Sequence, residues 1–120
     1  MADPITIIAR TPEMLHVRFW ENVATDMESP WIDVGAYTYG VIRALRNGTG
    51  TFTLEGSIAP TLPGPSDSGI VIVSSGGGLY MQGSGAADTL LPRWLRLSMA
   101  GATAASWAWG LFFHEDPLGR

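Results

Sequence analysis

The sequence contains no cysteine and no lysine, and only two of its 120 residues are histidines. Without cysteine there can be no disulfide framework, thiolate metal site or thiol nucleophile, and the chain is consistent with a reducing compartment. Without lysine, Schiff-base chemistry and a lysine-armed phosphate loop are excluded. All seven basic residues are arginines. Two explanations of that bias stay open: genome composition, and retention of arginine for planar, two-pronged pairing at protein interfaces. The net charge of −4 with scattered arginines lacks the concentrated basic stripe of a nucleic-acid binder. No apolar run approaches the roughly 18–20 residues that span a membrane. The opening Met-Ala-Asp-Pro has neither the basic nor the apolar region of a signal peptide, which predicts synthesis in a cytoplasm.

What is present is alternation. Leu15, Val17 and Phe19 alternate with His16, Arg18 and Trp20, the period-two pattern of a half-buried strand. Phe52 and Leu54 repeat it, as do Leu95, Leu97 and Met99. In the last run Trp107, Trp109, Leu111 and Phe113 share one face, predicted to be the core side. Ala108 and Gly110 on the other would leave room for close packing. Residues 5–8 and 70–73 are apolar on both faces. The second run predicts a central strand; the first fits either an outer strand or an extended arm laid on a neighbour. Residues 37–46 are strand-like, and Asn47-Gly48 supplies a turn tolerant of positive φ before Thr51.

Fifteen glycines and eight prolines punctuate these runs. Residues 58–68, with three prolines, predict a loop. Leu79-Tyr80-Met81 reads as a brief strand between glycine-rich loops, and a short turn fits residues 87–91. The expected fold is all-β: an antiparallel β-sandwich, jelly-roll-like or immunoglobulin-like, over residues 13–120, preceded by an N-terminal arm over residues 1–12.

Searching for chemistry yields little. His114 precedes Glu115-Asp116, but strand neighbours point to opposite faces and do not easily chelate one ion. His16 lies among Met14 and Arg18 on a polar face. The serines have no nucleophile-elbow context, Gly76-Gly77-Gly78 has no helix behind it, and Asp33 and Glu55 do not form an evident acid pair. Asp67 and Asp88 are loop acids with a slight calcium character. The expectation is therefore no catalytic residue, no cofactor, no metal and no small-molecule substrate.

Tryptophan and arginine remain. Trp20 beside Arg18, and Trp94 beside Arg96, fall opposite the aliphatic faces of their strands. Three readings are open for these positions: an interface hot spot, a face covered by the protein's own loops, or a stacked platform for sugars. With the apolar Ile5, Ile7 and Ile8, they make up the candidate protein interface: Ile5, Ile7, Ile8, Arg18, Trp20, Trp94 and Arg96.

Trp31-Ile32-Asp33-Val34-Gly35-Ala36-Tyr37, Gly50-Thr51-Phe52-Thr53-Leu54-Glu55-Gly56-Ser57 and Pro92-Arg93-Trp94-Leu95-Arg96-Leu97, with the closing strand over 105–113, resemble small β-sandwich modules of tailed-phage virions. The pattern departs after Ser57, where Ile58-Ala59-Pro60 replaces the usual Asp-Gly turn and tryptophan. The resemblance implies a virion accessory protein, foremost a capsid decoration or cement protein. Its partner would be the major capsid protein, on which it would sit as a dimer or trimer at the capsid surface. A tail, neck or fibre component and a carbohydrate-binding module are the alternatives.

Overall fold

In the computed structural model the described residues are 6–64, 66–67, 69–76, 79–83 and 92–114. They form ten strands and no helix, and so none long and apolar enough to cross a membrane. The strands are β1 (Thr6–Arg10), β2 (Met14–Val23), β3 (Met27–Glu28), β4 (Ile32–Asp33), β5 (Tyr39–Arg46), β6 (Thr51–Ser57), β7 (Ile70–Ser75), β8 (Leu79–Gly83), β9 (Trp94–Ala100) and β10 (Ser106–Phe113). They build two antiparallel sheets. The first runs β1-β2-β10-β5-β8; the second runs β3-β9-β6-β7, with β4 also paired to β9.

The alternation expected for β2, β6 and β9 positions one shared core. Leu15, Val17 and Phe19 from the first sheet meet Phe52, Leu54, Leu95, Leu97 and Met99 from the second, all fully buried or nearly so. Asn47 and Gly48 turn the chain out of β5, with Gly48 at φ 66°, but the turn crosses from one sheet to the other and does not close a hairpin.

Three expectations are corrected. The first concerns β10, where Ala108 and Phe112 are fully buried while Trp107, Trp109, Leu111 and Phe113 are only half-buried. The small residues face inward because β2 fills the space opposite them. A methyl at Gly110 would lie 2.9 Å from a Phe112 ring carbon and 3.1 Å from one of Phe19.

The second concerns Trp20, which is 1% exposed and belongs to the core. Arg18 pairs with Trp109 and Trp20 with Ala108, so Phe19 is an extra residue on β2, a β-bulge. One extra residue shifts the alternation by one place, and Phe19 and Trp20 both turn inward. The Trp20 ring stacks on Phe52 at 6.3 Å. Its indole Nε1 donates to Ser106 Oγ at 2.9 Å, and that hydroxyl donates to the Val23 carbonyl. A second irregularity follows, with Asn22 at φ 54° before Val23 rejoins Ser106.

The third concerns residues 70–73. They open β7, which lies at the edge of its sheet rather than in its centre, with Ile70, Val71 and Ile72 exposed. Residues 6–10 pair with β2 as the outer strand of the first sheet.

Candidate functional site

On the outer face of the second sheet, the side chains of β9 are held under the loop between β6 and β7. Arg96 is 6% exposed. Its guanidinium lies 4.3 Å over the Trp31 ring. Nε and Nη2 donate to Glu55 Oε1 at 3.2 and 3.1 Å, and Nη2 also donates to the Asp67 carbonyl. Glu28 approaches Nη1 at 3.8 Å.

The loop is tied to the same cluster from above. Gly69 N–H donates to Glu55 Oε2, Trp31 Nε1 donates to the Gly64 carbonyl, and Trp94 Nε1 donates to the Ala59 carbonyl. Arg93 stacks 4.9 Å from the Trp94 ring centre and donates to the Pro60 carbonyl. Trp94 and Arg96 therefore do not present an outward pair. Of the readings open from sequence, coverage by the protein's own loop is the one found here. Those side chains act as a clasp that pairs the loop's carbonyls at Ala59, Pro60, Gly64 and Asp67. A groove of about 500 Å³ remains between Glu28, Pro30 and Trp31 on one side and Leu62 and Pro63 on the other, with Arg96 at its base.

The outer face of the first sheet is half-exposed, and β10 supplies its middle line. Register places three side chains side by side in one cross-strand row: Arg18 of β2, Trp109 of β10 and Arg43 of β5. The next row along the strand is His16, Leu111 and Val41; the one beyond is Met14, Phe113 and Tyr39, where Tyr39 is buried and its ring lies 6.3 Å from that of Phe113. On the other side of Trp109, Trp107 is paired with Leu45, which is 40% exposed. Cross-strand neighbours on one face have side chains in contact range, so these rows form a continuous apolar field with arginines on both sides of the central indole. Arg18 is held by Glu21 at 2.8 Å, whereas Arg43 is exposed and has no ion-pair partner among the described residues. Beside Trp109 a hollow of about 170 Å³ is lined by His16, Val41, Arg43, Gly110 and Leu111.

Of the candidate interface residues, Arg18 lies on this face, Ile7 and Ile8 are 43% and 50% exposed on the neighbouring strand β1, and Ile5 lies outside the described residues. The pairing of tryptophan with arginine on an open face is present, but at Trp109 with Arg18 and Arg43. Sequence reading missed Trp109 and Arg43 because it turned β10 the wrong way. The signal that could have corrected it is Ala108 and Gly110, since a partner strand carrying adjacent Phe19 and Trp20 needs small residues opposite.

Elsewhere, a groove of about 530 Å³ opens between the sheets at one end, lined by Arg10, Asp33, Gly35, Ala36 and Arg93. Asp33 accepts the Gly35 N–H and meets Arg93 at 3.5 Å. His114 donates its backbone N–H to the Glu13 carbonyl, and its ring nitrogen lies 3.3 Å from the Ala36 carbonyl. No group of three or more His, Asp or Glu side chains among the described residues could hold a metal ion. Asp88, Glu115, Asp116 and the turn expected at residues 87–91 lie outside the described residues.

No protein-family model, no curated protein and no solved structure matches this chain.

Proposed function

We propose that the chain is a structural protein of a tailed-phage virion, a capsid decoration protein that docks on the major capsid protein lattice through the outer face of its five-stranded sheet. The observation that carries this reading is the row Arg18–Trp109–Arg43 set in a half-exposed apolar field of Trp107, Leu111, Phe113, Val41 and Leu45. Tryptophan and arginine are enriched at interface hot spots, the first for its large rigid area and the second for its planar fork of hydrogen-bond donors. The resemblance of the segments 31–37, 50–57 and 92–97 to phage sandwich modules directs the reading to a virion.

On this reading the two sheets are a jelly-roll-like or immunoglobulin-like sandwich, with β1 as the outer strand of the first sheet. Residues 1–12 extend the contact to a neighbouring subunit through Ile5, Ile7 and Ile8. Many copies at the capsid surface each bridge adjacent subunits, so that genome pressure must separate additional interface before the shell opens. The chain performs no chemistry of its own.

The test uses capsids from a phage lacking this protein. Purified chain is expected to cosediment with them saturably and to raise the temperature at which they release DNA. Trp109→Ala and Arg43→Glu should each weaken binding by about 2 kcal/mol or more. Wild-type protein that leaves such capsids unbound would sink the proposal, and immunogold label confined to the tail would move the protein to the tail or neck. The carbohydrate reading has one specific support, the two half-exposed tryptophans at 107 and 109. Saturable glycan binding lost in Trp109→Ala would favour it.

A further inference from the structure

The edge strand β7 has a composition that native edges generally avoid. Its six residues, Ile-Val-Ile-Val-Ser-Ser, contain no charge and no proline. Ile70 is 72% exposed, Val71 57% and Ile72 42%, and Ile58, just past the end of β6, is 82% exposed. An edge strand presents a row of unpaired N–H and C=O groups, and proteins protect such rows with lysine, proline, inward charges or a covering segment. The other described edge with exposed aliphatics, β1, carries Arg10. Among the described residues β7 shows one such device, a bulge: Leu54 pairs with Val73 and Glu55 with Val71, which makes Ile72 the extra residue. That bulge brings Ile72 against Gly56, near Pro92, and leaves Ile70 and Val71 facing out.

We propose that β7 is a self-association edge, which pairs antiparallel with β7 of a second copy to make one continuous sheet through both molecules. Two arguments select a second copy as the occupant. The first is charge. An uncharged strand matched to itself brings no like charges together and leaves no charge unpaired, whereas a charged partner strand would find no counter-charge on Ile70–Ser75. The second is area and symmetry. A six-residue strand runs about 20 Å. An antiparallel pair across a two-fold axis uses the same patch on both copies, so Ile70 and Val71 count twice. The contact stays below the roughly 800 Å² per partner of standard interfaces, which makes the dimer concentration-dependent rather than permanent. This surface belongs to the second sheet and is separate from the Trp109 face, so a dimer joined through β7 keeps both docking faces free.

Sedimentation velocity on the full chain tests the proposal. The weight-average mass should climb from one copy toward two as concentration rises through the micromolar range. Val71→Lys and Ile70→Lys should hold it at one copy, with far-ultraviolet circular dichroism and thermal midpoint close to wild type because both sites are exposed. Val71→Ile and Trp109→Ala should dimerise like the wild type. A wild-type chain that stays monomeric throughout overturns the proposal. So does a dimer that survives Val71→Lys, one lost in Trp109→Ala, or a trimer, since a two-fold strand pairing closes at two.

Discussion

At position 110 the choice of glycine settles which way a whole strand faces. Its missing side chain, with Ala108 two residues before, is what lets the adjacent rings of Phe19 and Trp20 enter one core. Gly110→Val should overpack that space and cost about 1–3 kcal/mol of stability by urea denaturation. Trp109→Ala, one residue earlier but on the open face, should cost about 1 kcal/mol or less. A larger loss at 109 than at 110 would mean the strand has been assigned the wrong way round. Single residues are also where sequence reading failed. Periodicity reports which side chains share a face, but it does not say which face is inside when one carries large side chains and the other small ones. Trp107 and Trp109 looked like core on size alone; the complement on β2 was the deciding information, and it lies more than eighty residues away in the chain.

At the scale of elements, β2, β6 and β9 were legible because each carries three or two aliphatic or aromatic residues at strict period two. The bulge at Phe19 was not, since an inserted residue changes pairing without changing hydrophobicity. The position of β7 was not legible for a different reason: a run apolar on both faces describes a central strand and an unprotected edge equally well. The loop of residues 58–68 was recognised as a loop, but its attachment was hidden, because Arg96, Glu55, Trp31 and Trp94 meet only once β4, β6 and β9 are side by side. The clasp makes its own prediction. Arg96→Ala should leave Glu55 partly buried and without its arginine, lowering stability by about 3 kcal/mol, and should open residues 58–69 to limited proteolysis. Combining it with Glu55→Gln should restore part of that stability. If the loop stays protease-resistant in Arg96→Ala, the arginine is not what holds it.

At the scale of the whole molecule, the two sheets and the core were legible from pattern, while the order of strands was not. Nothing in β2 alone announces that its neighbour will be β10. That order has a kinetic consequence. β2 pairs with β10, β10 with β5 and β6 with β9, so most of the pairing joins segments distant in the chain. Closing such loops precedes the gain from burying them. Refolding followed by tryptophan fluorescence in a stopped-flow instrument should therefore take milliseconds to seconds. A main phase in microseconds would contradict this topology.

The placement of β10 at the centre of the first sheet also bears on biosynthesis. A ribosome delivers β2 and β5 well before residues 106–113 exist, and these two strands meet only through β10. During that interval β2 has only β1 beside it and β5 only β8, and Phe19 and Trp20 have no small residues of β10 to lie against. Translation at about 5–20 residues per second leaves the nascent chain in this state for seconds. The row Arg18–Trp109–Arg43 is thus assembled only once β10 has been made, so a chain still short of residue 106 carries none of that face in finished form.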